Sequence, residues 1–328
     1  MGRPIRRIFA LGLLFSAILV CIGLYFVWSG YTSFGPLKTK VRVIIPKGSG
    51  VREIGTLLAS AGVIENAFIF TLGVKYTKIG RRMRAGEFEF LPGVSMKKVG
   101  KHLVDGEMVK RRLTVPEGLM TAEVIKLVVS AEGLRGSVPI NLDEGIYLPE
   151  TYFFNYGDTR LSILRRMEKA MREALSEAWS IKSKKINIAT AKDALILASI
   201  IEKETGIKGE RSLVSSVFHN RLRLGLRLQS DPSVYYALTG GKTRLKRPLT
   251  KNDLRVESKY NTYREKGLPP GPISNPGKAA LRAAVNPVQS DYLYFVANGR
   301  GGHSFSKNLK QHNHNVAKFR ALKQKSLR

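Results

Sequence analysis

The stretch Ala198-Ser-Ile-Ile-Glu-Lys-Glu-Thr-Gly206 decides the fold of the C-terminal half of the chain, because it has the pattern of the end of a largely buried helix. Just upstream, Thr190 and Asp193 form a Thr-x-x-Asp capping box, so the sequence predicts a helix that begins at Ala191. Gly206 is expected to stop this helix.

Glu204 lies in the last turn of the predicted helix, on the same stripe as Leu197, Ile200 and Ile201. Apolar surroundings and the negative end of the helix dipole both disfavour a carboxylate, so we expect the pKa of Glu204 to be raised. A carboxyl group that keeps its proton near neutral pH is suited to act as a general acid. The alternative is a glutamate at a helix end that points to solvent.

Glu202 is the other acid of this stretch. It lies about 160° around the helix from Glu204, so one site cannot easily use both side chains. The predicted helix is apolar over most of its surface, and helical periodicity therefore favours Glu204 over Glu202 only weakly. The choice between the two acids stays open at this level.

Composition limits the classes of partner. The 328 residues, 43% of them apolar, are enough for two or three domains with real cores. Lys and Arg number 55 against 25 Asp and Glu, which gives a formal net charge of +30. Such a charge favours nucleic acid, anionic lipid headgroups or an acidic polymer such as cell wall.

The N-terminus predicts a retained membrane anchor rather than a secretory signal peptide, which would have a shorter apolar core and a small-x-small cleavage site. The segment Ile8 to Trp28 is uncharged and almost entirely apolar, and about 20 such residues cross a bilayer as a helix. Trp28 and Tyr31 occupy positions typical of interfacial aromatic residues. Arginines before the segment place the N-terminus in the cytoplasm and the rest of the chain outside, which disfavours nucleic acid as the partner. The only cysteine, Cys21, lies within the segment, so the exported part has no disulfide and no thiol nucleophile.

A repeat organises the chain after the anchor. Val43-Ile-Ile-Pro-Lys-Gly48 recurs as Leu113-Thr-Val-Pro-Glu-Gly118, and each copy predicts a short strand, a turn and an amphipathic helix. A looser copy begins at Phe88. An aromatic connector is expected from near Asn141 to Asp158. The expected division is a cytoplasmic tail (1–7), a transmembrane helix (8–28), a first module (41–110), a second module with the connector (111–158) and a C-terminal domain (159–328).

The C-terminal domain is predicted to be mainly helical, with a hairpin near its end. Helices are expected at 161–179, 190–205, 210–222, 231–238 and 278–285, and the hairpin at 292–305. The segment Gly267 to Gly277 is too rich in Pro and Gly for regular structure and is expected to be a functional loop. The fold class is therefore α+β.

Motifs for several kinds of chemistry are absent from the sequence. There is no Gly-x-Ser-x-Gly elbow, no His-Glu-x-x-His and no Walker A loop. His303, His312 and His314 are the only close set of histidines, and we expect no metal site there. Carboxylate chemistry remains. One protonated acid, a loop of Tyr, Asn, Pro and Gly, and exposed aromatic residues suit a sugar polymer as substrate.

Two further acids have ordinary alternatives. Asp231-Pro232 resembles a helix N-cap followed by proline at the first helical position, which is a sufficient structural reason for Asp231. Glu150 follows Pro149 and precedes an aromatic run, where it could line a groove or end a strand.

Six motifs, in order and spacing, resemble the endolytic murein transglycosylase family (MltG, YceG-like). They are Ala198–Thr205, Ser215–Leu222, Leu228–Val234, Tyr260-Asn-Thr-Tyr263, Gly267–Gly271 and Gly301–Phe305. The resemblance covers nearly the whole chain. It implies a lyase of the inner membrane, with LysM-like modules ahead of a periplasmic catalytic domain, that cuts nascent glycan strands internally. The absence of phosphate-binding motifs separately predicts that no cofactor is needed. The implied partners are peptidoglycan glycan strands, the inner membrane and peptidoglycan synthases.

The resemblance also assigns roles to residues. The second acid of its Glu-Lys-Glu-Thr motif is the catalytic one, which is Glu204 here. Leu148-Pro-Glu-Thr-Tyr152 carries Glu150 where the family commonly has Asp. The candidate substrate contacts, each of which could instead hold loops together, are Asn220, Gln229, Asp231, Tyr260, Asn261, His303 and Glu150.

Two other classes of protein compete with this interpretation. One is a membrane-anchored peptidoglycan-binding scaffold without turnover, which the repeats and the charge would suit. The other is a basic nucleic-acid binder, which would place the C-terminus in the cytosol.

Overall fold

The computed structural model describes residues 3–138 and 143–326. Residues 1–2 of the expected tail and Asn141 lie outside the described residues. The chain divides into two units, Met1–Arg111 with Phe153–Gly157 and Arg112–Tyr152 with Asp158–Arg328. Helices and small two-stranded sheets make up both units, so the predicted α+β class is confirmed.

The first unit begins with a long apolar helix and continues as strand–turn–helix segments. Leu11–Thr32 is long and apolar enough to cross a membrane. The β1–β2 sheet is antiparallel, with Val43 opposite Phe88, and both side chains lie in the core of the unit. The elements are α1 (Arg3–Thr32), β1 (Val41–Ile45), α2 (Val51–Ser60), α3 (Ala67–Tyr76), β2 (Gly86–Phe90) and α4 (Met96–Asp105).

The end of α1 differs from the prediction. Tyr31 was expected at a membrane interface, but its side chain is 1% exposed and belongs to the core of the first unit. The ring lies against Gly73 of α3, where a Cβ atom would come within 2.3 Å of ring carbons. The absence of a side chain at Gly73 therefore admits the Tyr31 ring, and the last turn of α1 is part of the folded unit.

The second unit is mainly helical, as predicted. Its core is formed largely by α6, α7, α8 and α10. The boundaries of this unit fall within β3 and within β4. The elements from this boundary onward are β3 (Lys110–Thr114), α5 (Thr121–Ser130), β4 (Thr151–Asn155), α6 (Arg160–Ser180), α7 (Ala191–Glu204), α8 (Arg211–Arg223), α9 (Asp231–Thr239), α10 (Lys278–Val285), β5 (Tyr294–Ala297), β6 (His303–Ser306) and α11 (Leu309–Ser326).

Strands β5 and β6 pair antiparallel, and this pairing brings His303 opposite Ala297. Helix α11 packs on both strands. Neither α11 nor α3 is predicted by the sequence patterns. The sequence of α11 is polar with scattered apolar residues, whereas α3 is apolar nearly all round, so neither shows a clear amphipathic stripe.

Candidate active site

Helix α7 begins where the capping box predicts. Thr190 Oγ1 accepts a hydrogen bond from the Asp193 backbone N–H at 3.1 Å, and Asp193 Oδ2 accepts one from the Thr190 N–H at 2.9 Å. The helix ends at Glu204 because Thr205 is extended, with φ −143° and ψ 130°. The helix therefore ends next to Gly206, as expected, but Thr205 is the C-cap and Gly206 does not have the positive φ of a left-handed glycine cap.

Glu202 is enclosed by protein. Its side chain is 4% exposed, and Oε1 accepts a hydrogen bond from Arg211 Nη2 at 2.8 Å. Oε2 accepts another from the Gly277 N–H at 2.8 Å. Arg211 is itself buried and also bonds Glu117 Oε2 at 3.1 Å. Both oxygens of Glu202 are therefore used within the protein, which is the setting of a structural ion pair.

Lys203 fixes the next position on the last turn of α7. Its ammonium donates to the Gly118 carbonyl at 3.1 Å. Gly118 belongs to the second of the two repeated turns, and its N–H donates in turn to the Asn275 carbonyl at 2.9 Å. The turn of this repeat thus braces the end of the helix that carries Glu204.

Glu204 points into a cleft of about 550 Å³ in the second unit. Its Oε1 accepts a hydrogen bond from Ser230 Oγ at 2.5 Å. Burial raises the pKa of Glu204 to about 7. The negative charge of Asp231 also raises this pKa, whereas the Ser230 hydrogen bond and the positive charge of Arg221 lower it. A carboxyl group with this pKa holds its proton in a large fraction of molecules at neutral pH, which a general acid requires.

Thr262 joins two of the recognised motifs beside Glu204. Its carbonyl accepts from the Gln229 N–H at 3.1 Å, and its Oγ1 accepts from the Ser230 N–H at 2.9 Å. Thr262 Oγ1 also lies 2.8 Å from Ser233 Oγ. Gln229 has a φ of +53°, a conformation uncommon for a residue with a side chain, and these bonds hold it there. Gln229 lines the cleft, as expected of a substrate contact.

Arg221 of α8 supplies a buried positive charge at the cleft. It is 8% exposed, and its guanidinium donates to the Leu293 carbonyl at 2.7 Å, to the Leu228 carbonyl at 3.0 Å and to Gln229 Oε1 at 3.1 Å. The guanidinium also lies 5.0 Å from the ring centroid of Tyr294. Arg221 therefore orders the cleft walls through neutral acceptors and keeps its charge available to the cleft.

Asp231 does not have the predicted capping role. Helix α9 has Ser230 as its N-cap position and no side-chain capping bond, so Asp231 is the first helical residue. Its Oδ1 instead accepts a hydrogen bond from the Tyr263 hydroxyl at 2.6 Å. Burial, and next the bond to Asp231, raise the pKa of Tyr263, so the phenol stays protonated and donates. Both residues line the cleft with Glu204.

His303 also reaches the cleft, where Glu210 holds it. Glu210 Oε1 accepts from the His303 N–H at 2.8 Å, and Oε2 lies 2.7 Å from His303 Nδ1. Burial opposes the ionisation of Glu210, but its hydrogen bonds to His303 outweigh this, so the pKa of Glu210 is lowered. Glu210 Oε2 also accepts from Thr205 Oγ1 at 3.3 Å, which ties His303 to the end of α7.

The other sequence candidates do not line this cleft. The Asn220 amide donates to the Ser290 carbonyl at 2.8 Å and to the Tyr292 carbonyl at 3.0 Å. Asn261 is fully buried, and its amide donates to the Leu254 carbonyl at 3.1 Å and to the Val256 carbonyl at 2.8 Å. The Tyr260 ring packs against the Tyr236 ring, with centroids 4.8 Å apart and an angle of 44° between the planes. Glu150 is exposed, and its Oε1 accepts a hydrogen bond from the N–H of the next residue, Thr151, at 3.0 Å. These contacts are made within the protein, as expected if the residues hold loops together instead of binding substrate.

The Pro/Gly-rich segment from Gly267 to Gly277 packs against α7 and does not line the cleft. The Ile273 N–H donates to Ser199 Oγ at 3.0 Å, and Ser274 Oγ donates to the Ser199 carbonyl at 3.1 Å. A Cβ at Gly277 would fall 1.8 Å from Glu117 Oε1. The segment thus helps to position α7 through contacts that lie outside the cleft.

Sequence reasoning missed four residues of this site, namely Ser230, Arg221, Tyr263 and Glu210. Three of them lie within or beside motifs that were recognised, so proximity in sequence was the available signal. No sequence signal pointed to Glu210, because its partner His303 is 93 residues away.

Comparison with known proteins identifies the family. Residues 43–318 match the YceG-like family. The chain belongs to the YceG-like family. It is 31% identical over 313 residues to a protein of Bacillus subtilis named endolytic murein transglycosylase, across 86% of this chain and 85% of that protein. A protein of the same name from Streptococcus pneumoniae is 32% identical over 327 residues, across 85% of this chain and 58% of that protein.

A solved structure of a YceG-like protein also matches. The crystal structure from Listeria monocytogenes is 33% identical, superposes with a TM-score of 0.53, and covers 84% of this chain and 99% of its own. The structural comparison and the sequence comparisons therefore both place the chain in the YceG-like family.

Proposed function

We propose that this YceG-like protein is an endolytic peptidoglycan lytic transglycosylase. It cleaves the β-1,4 bond between MurNAc and GlcNAc within a glycan strand and leaves a 1,6-anhydro-MurNAc end. The observation that carries the proposal is the position of Glu204, a partly buried acid with a pKa of about 7 that faces a cleft. The names of the relatives from Bacillus subtilis and Streptococcus pneumoniae support the substrate class.

The reaction uses Glu204 twice. The Glu204 carboxyl group first gives its proton to the glycosidic oxygen, and the bond from that oxygen to the MurNAc anomeric carbon breaks. The resulting carboxylate then takes the proton of the MurNAc 6-hydroxyl, whose oxygen bonds the anomeric carbon and closes the anhydro ring. No water is consumed, and Glu204 ends in its starting protonation state. A hydrolase would instead activate water or form a glycosyl-enzyme with a second carboxylate.

Residues around Glu204 support this cycle. Asp231, held by Tyr263, places negative charge on the cleft wall, where it favours the positive charge that develops on the sugar ring. Ser230 donates to Glu204 Oε1 and so stabilises the carboxylate form that must act as base. Gln229 and His303 are the candidate contacts for sugar hydroxyl or amide groups, because both line the cleft.

The remaining assignments follow the family. α1 anchors the chain in the inner membrane as a single pass, with the N-terminus in the cytoplasm and the catalytic domain in the periplasm. The strand–turn–helix segments at 41–110 and 111–158 act as LysM-like peptidoglycan-binding modules, and 159–328 is the catalytic domain. Cleavage of nascent strands beside a peptidoglycan synthase would end strand elongation.

Product analysis tests the activity. Purified protein is incubated with peptidoglycan sacculi, and the soluble and strand-end products are examined by mass spectrometry. We expect new 1,6-anhydro ends within long strands, with the products one water lighter than hydrolysis products. A non-catalytic scaffold would bind the sacculi and release nothing, and a hydrolase would produce reducing ends.

A reporter fusion tests the location. Alkaline phosphatase fused to the C-terminus should be active, because that enzyme needs an exported environment. An inactive phosphatase fusion together with an active cytosolic reporter would support the nucleic-acid-binding alternative.

A further inference from the structure

The last turns of α1 pack into the core of the first unit. Tyr31 is buried in the core of that unit, in contact with Gly73 of α3. A Cβ at Gly30 would lie 3.4 Å from Ile69 Cδ1, so α3 also packs closely at that position. Helix α1 contacts both α3 and α4. The apolar helix therefore runs into a folded core without an intervening linker.

Trp28, one turn before Tyr31, also contacts the folded unit. Its ring lies edge-on to Tyr76 of α3, with centroids 5.8 Å apart, and Lys97 Nζ of α4 lies 5.7 Å from the Trp28 centroid. The apolar stretch that could span a membrane ends at Thr32. Trp and Tyr favour the interfacial layer of a bilayer, and Lys extends toward its headgroups.

Large apolar side chains are exposed on the segments that follow or contact this helix end, since Phe34 comes two residues after α1 and Phe68 precedes Ile69, which lies beside Gly30. Phe34 is 89% exposed, Phe68 at the start of α3 is 68% exposed, and Tyr76 at its end is 77% exposed. Such a group of exposed aromatic residues marks an interaction surface. Its continuity with an apolar spanning helix identifies the lipid interface as its partner.

The charge of this region suits anionic lipid. Helix α3 contains no acidic residue and has Lys75 in its last turn, while α4 begins with Met96-Lys-Lys98. The only acid of α4 is Asp105 at its far end. Cations near the surface of an anionic leaflet are attracted to its headgroups.

We propose that the exit surface, defined as Trp28, Phe34, Phe68, Tyr76 and Lys97, lies in the interfacial layer of the bilayer. The first unit is then held against the membrane in a fixed orientation and does not swing on a flexible tether. This inference rests on the proposed membrane anchorage of α1 and adds to it a lipid contact by the folded unit.

Site-specific fluorescence tests the inference on the full chain in vesicles of phosphatidylethanolamine and phosphatidylglycerol. In a Cys21→Ser background, Tyr76→Cys is labelled with an environment-sensitive dye, and lipids that carry a shallow nitroxide are the quencher. Lys47→Cys, in the exposed turn after β1, is the control. We expect a blue-shifted emission at position 76 and about twofold or more greater quenching there than at position 47.

A third label separates this inference from the anchorage itself. Native Cys21, exposed on α1, is labelled in the unmodified chain and should be quenched by lipids with a deep nitroxide. Quenching at Cys21 with water-like emission at position 76 would overturn the exit-surface proposal alone, whereas no quenching at Cys21 would overturn the anchorage. A shift at position 76 that appears only at high protein-to-lipid ratio would show contact between copies of the chain and would also overturn the proposal.

Discussion

Glu202 and Glu204 lie two residues apart on α7, but Glu202 is paired with a buried cation and Glu204 is not. The Glu202 carboxylate is enclosed and bound by Arg211 and the Gly277 N–H, whereas Glu204 accepts one hydrogen bond from Ser230 and faces the cleft. One acid thus holds the helix end in place, and the other is free to exchange a proton with a ligand. Helical periodicity alone could not make this distinction.

The activity should fall as pH rises through about 7, because cleavage begins with protonated Glu204 and its pKa is about 7. Ser230→Ala removes a hydrogen bond that favours the carboxylate, so the pKa of Glu204 should rise further. The descending limb of kcat/KM against pH should then move up by about one unit. The measurement is the initial rate of anhydro-end formation between pH 5 and 9, and a limb that moves down would contradict the account.

Asp231→Asn should move the descending limb of kcat/KM against pH to lower pH, opposite to the effect of Ser230→Ala. The negative charge of Asp231 raises the pKa of Glu204, so its removal should lower that pKa by about half a unit. The maximal rate should also fall, because Asp231 is proposed to favour positive charge on the sugar. Opposite displacements in the two variants, measured side by side, exclude a general effect of mutation on the pH profile.

Glu204→Gln should stabilise the protein at alkaline pH. The unfolded chain releases the Glu proton near pH 4.3, whereas the folded chain holds it until about pH 7, so ionisation reduces stability as pH rises between these values. Gln cannot ionise and avoids this loss. Because Glu204 is partly solvated, we expect a gain of about 1 kcal/mol, or 2–4 °C in Tm, at pH 8 relative to pH 5.

Calorimetry of wild type and Glu204→Gln at the two pH values makes the comparison. Glu173→Gln on α6, whose side chain is 66% exposed, is the control and should show no such difference. An equal change in Tm at pH 5 and pH 8 for the Glu204 variant would contradict the proposed cost of ionisation.

Arg211→Met should destabilise the second unit strongly, because it leaves the enclosed Glu202 without its cation. The loss of one partner from a buried pair costs about 3–5 kcal/mol. Arg282→Met is a matched control, since Arg282 pairs with Glu177 at 2.7 Å with both side chains more than half exposed, where such a pair contributes about 0–1 kcal/mol. Denaturant unfolding gives both values, and similar losses in the two variants would contradict the structural role of Arg211.

Tyr263→Phe and Tyr260→Phe distinguish the two tyrosines of one motif. Removal of the Tyr263 hydroxyl frees Asp231 within the cleft, and we expect kcat to fall about tenfold, which corresponds to one hydrogen bond to a charged group. Tyr260 packs on Tyr236 outside the cleft and should matter less to kcat. A larger loss of kcat in the Tyr260 variant would reverse this assignment.

Local patterns in the sequence predicted the local features of the site. The capping box at Thr190 and Asp193 located the start of α7 because both partners lie three residues apart. The raised pKa of Glu204 followed from the apolar residues of the same helix. The strand–turn–helix pattern likewise needed only short-range periodicity.

Long-range contacts account for what the sequence did not predict. Tyr31 is in a core instead of an interface because Gly73, in another helix, leaves room for its ring. Asp231 bonds Tyr263 instead of capping α9. The Asn220 amide binds the carbonyl groups of Ser290 and Tyr292, which are 70 and 72 residues away. Residue type alone does not separate an amide used internally in this way from one that faces a ligand.

The central claim is that Glu204, and not Glu202, carries the proton in a reaction without water. The most direct test compares wild type, Glu204→Gln and Glu202→Gln by mass spectrometry of the strand ends released from sacculi, with sacculus binding and folding measured in parallel. We predict that Glu204→Gln binds and folds normally but forms no 1,6-anhydro ends, while the fraction of Glu202→Gln that folds still forms them. Anhydro ends from Glu204→Gln, with their loss in folded Glu202→Gln, would contradict the account.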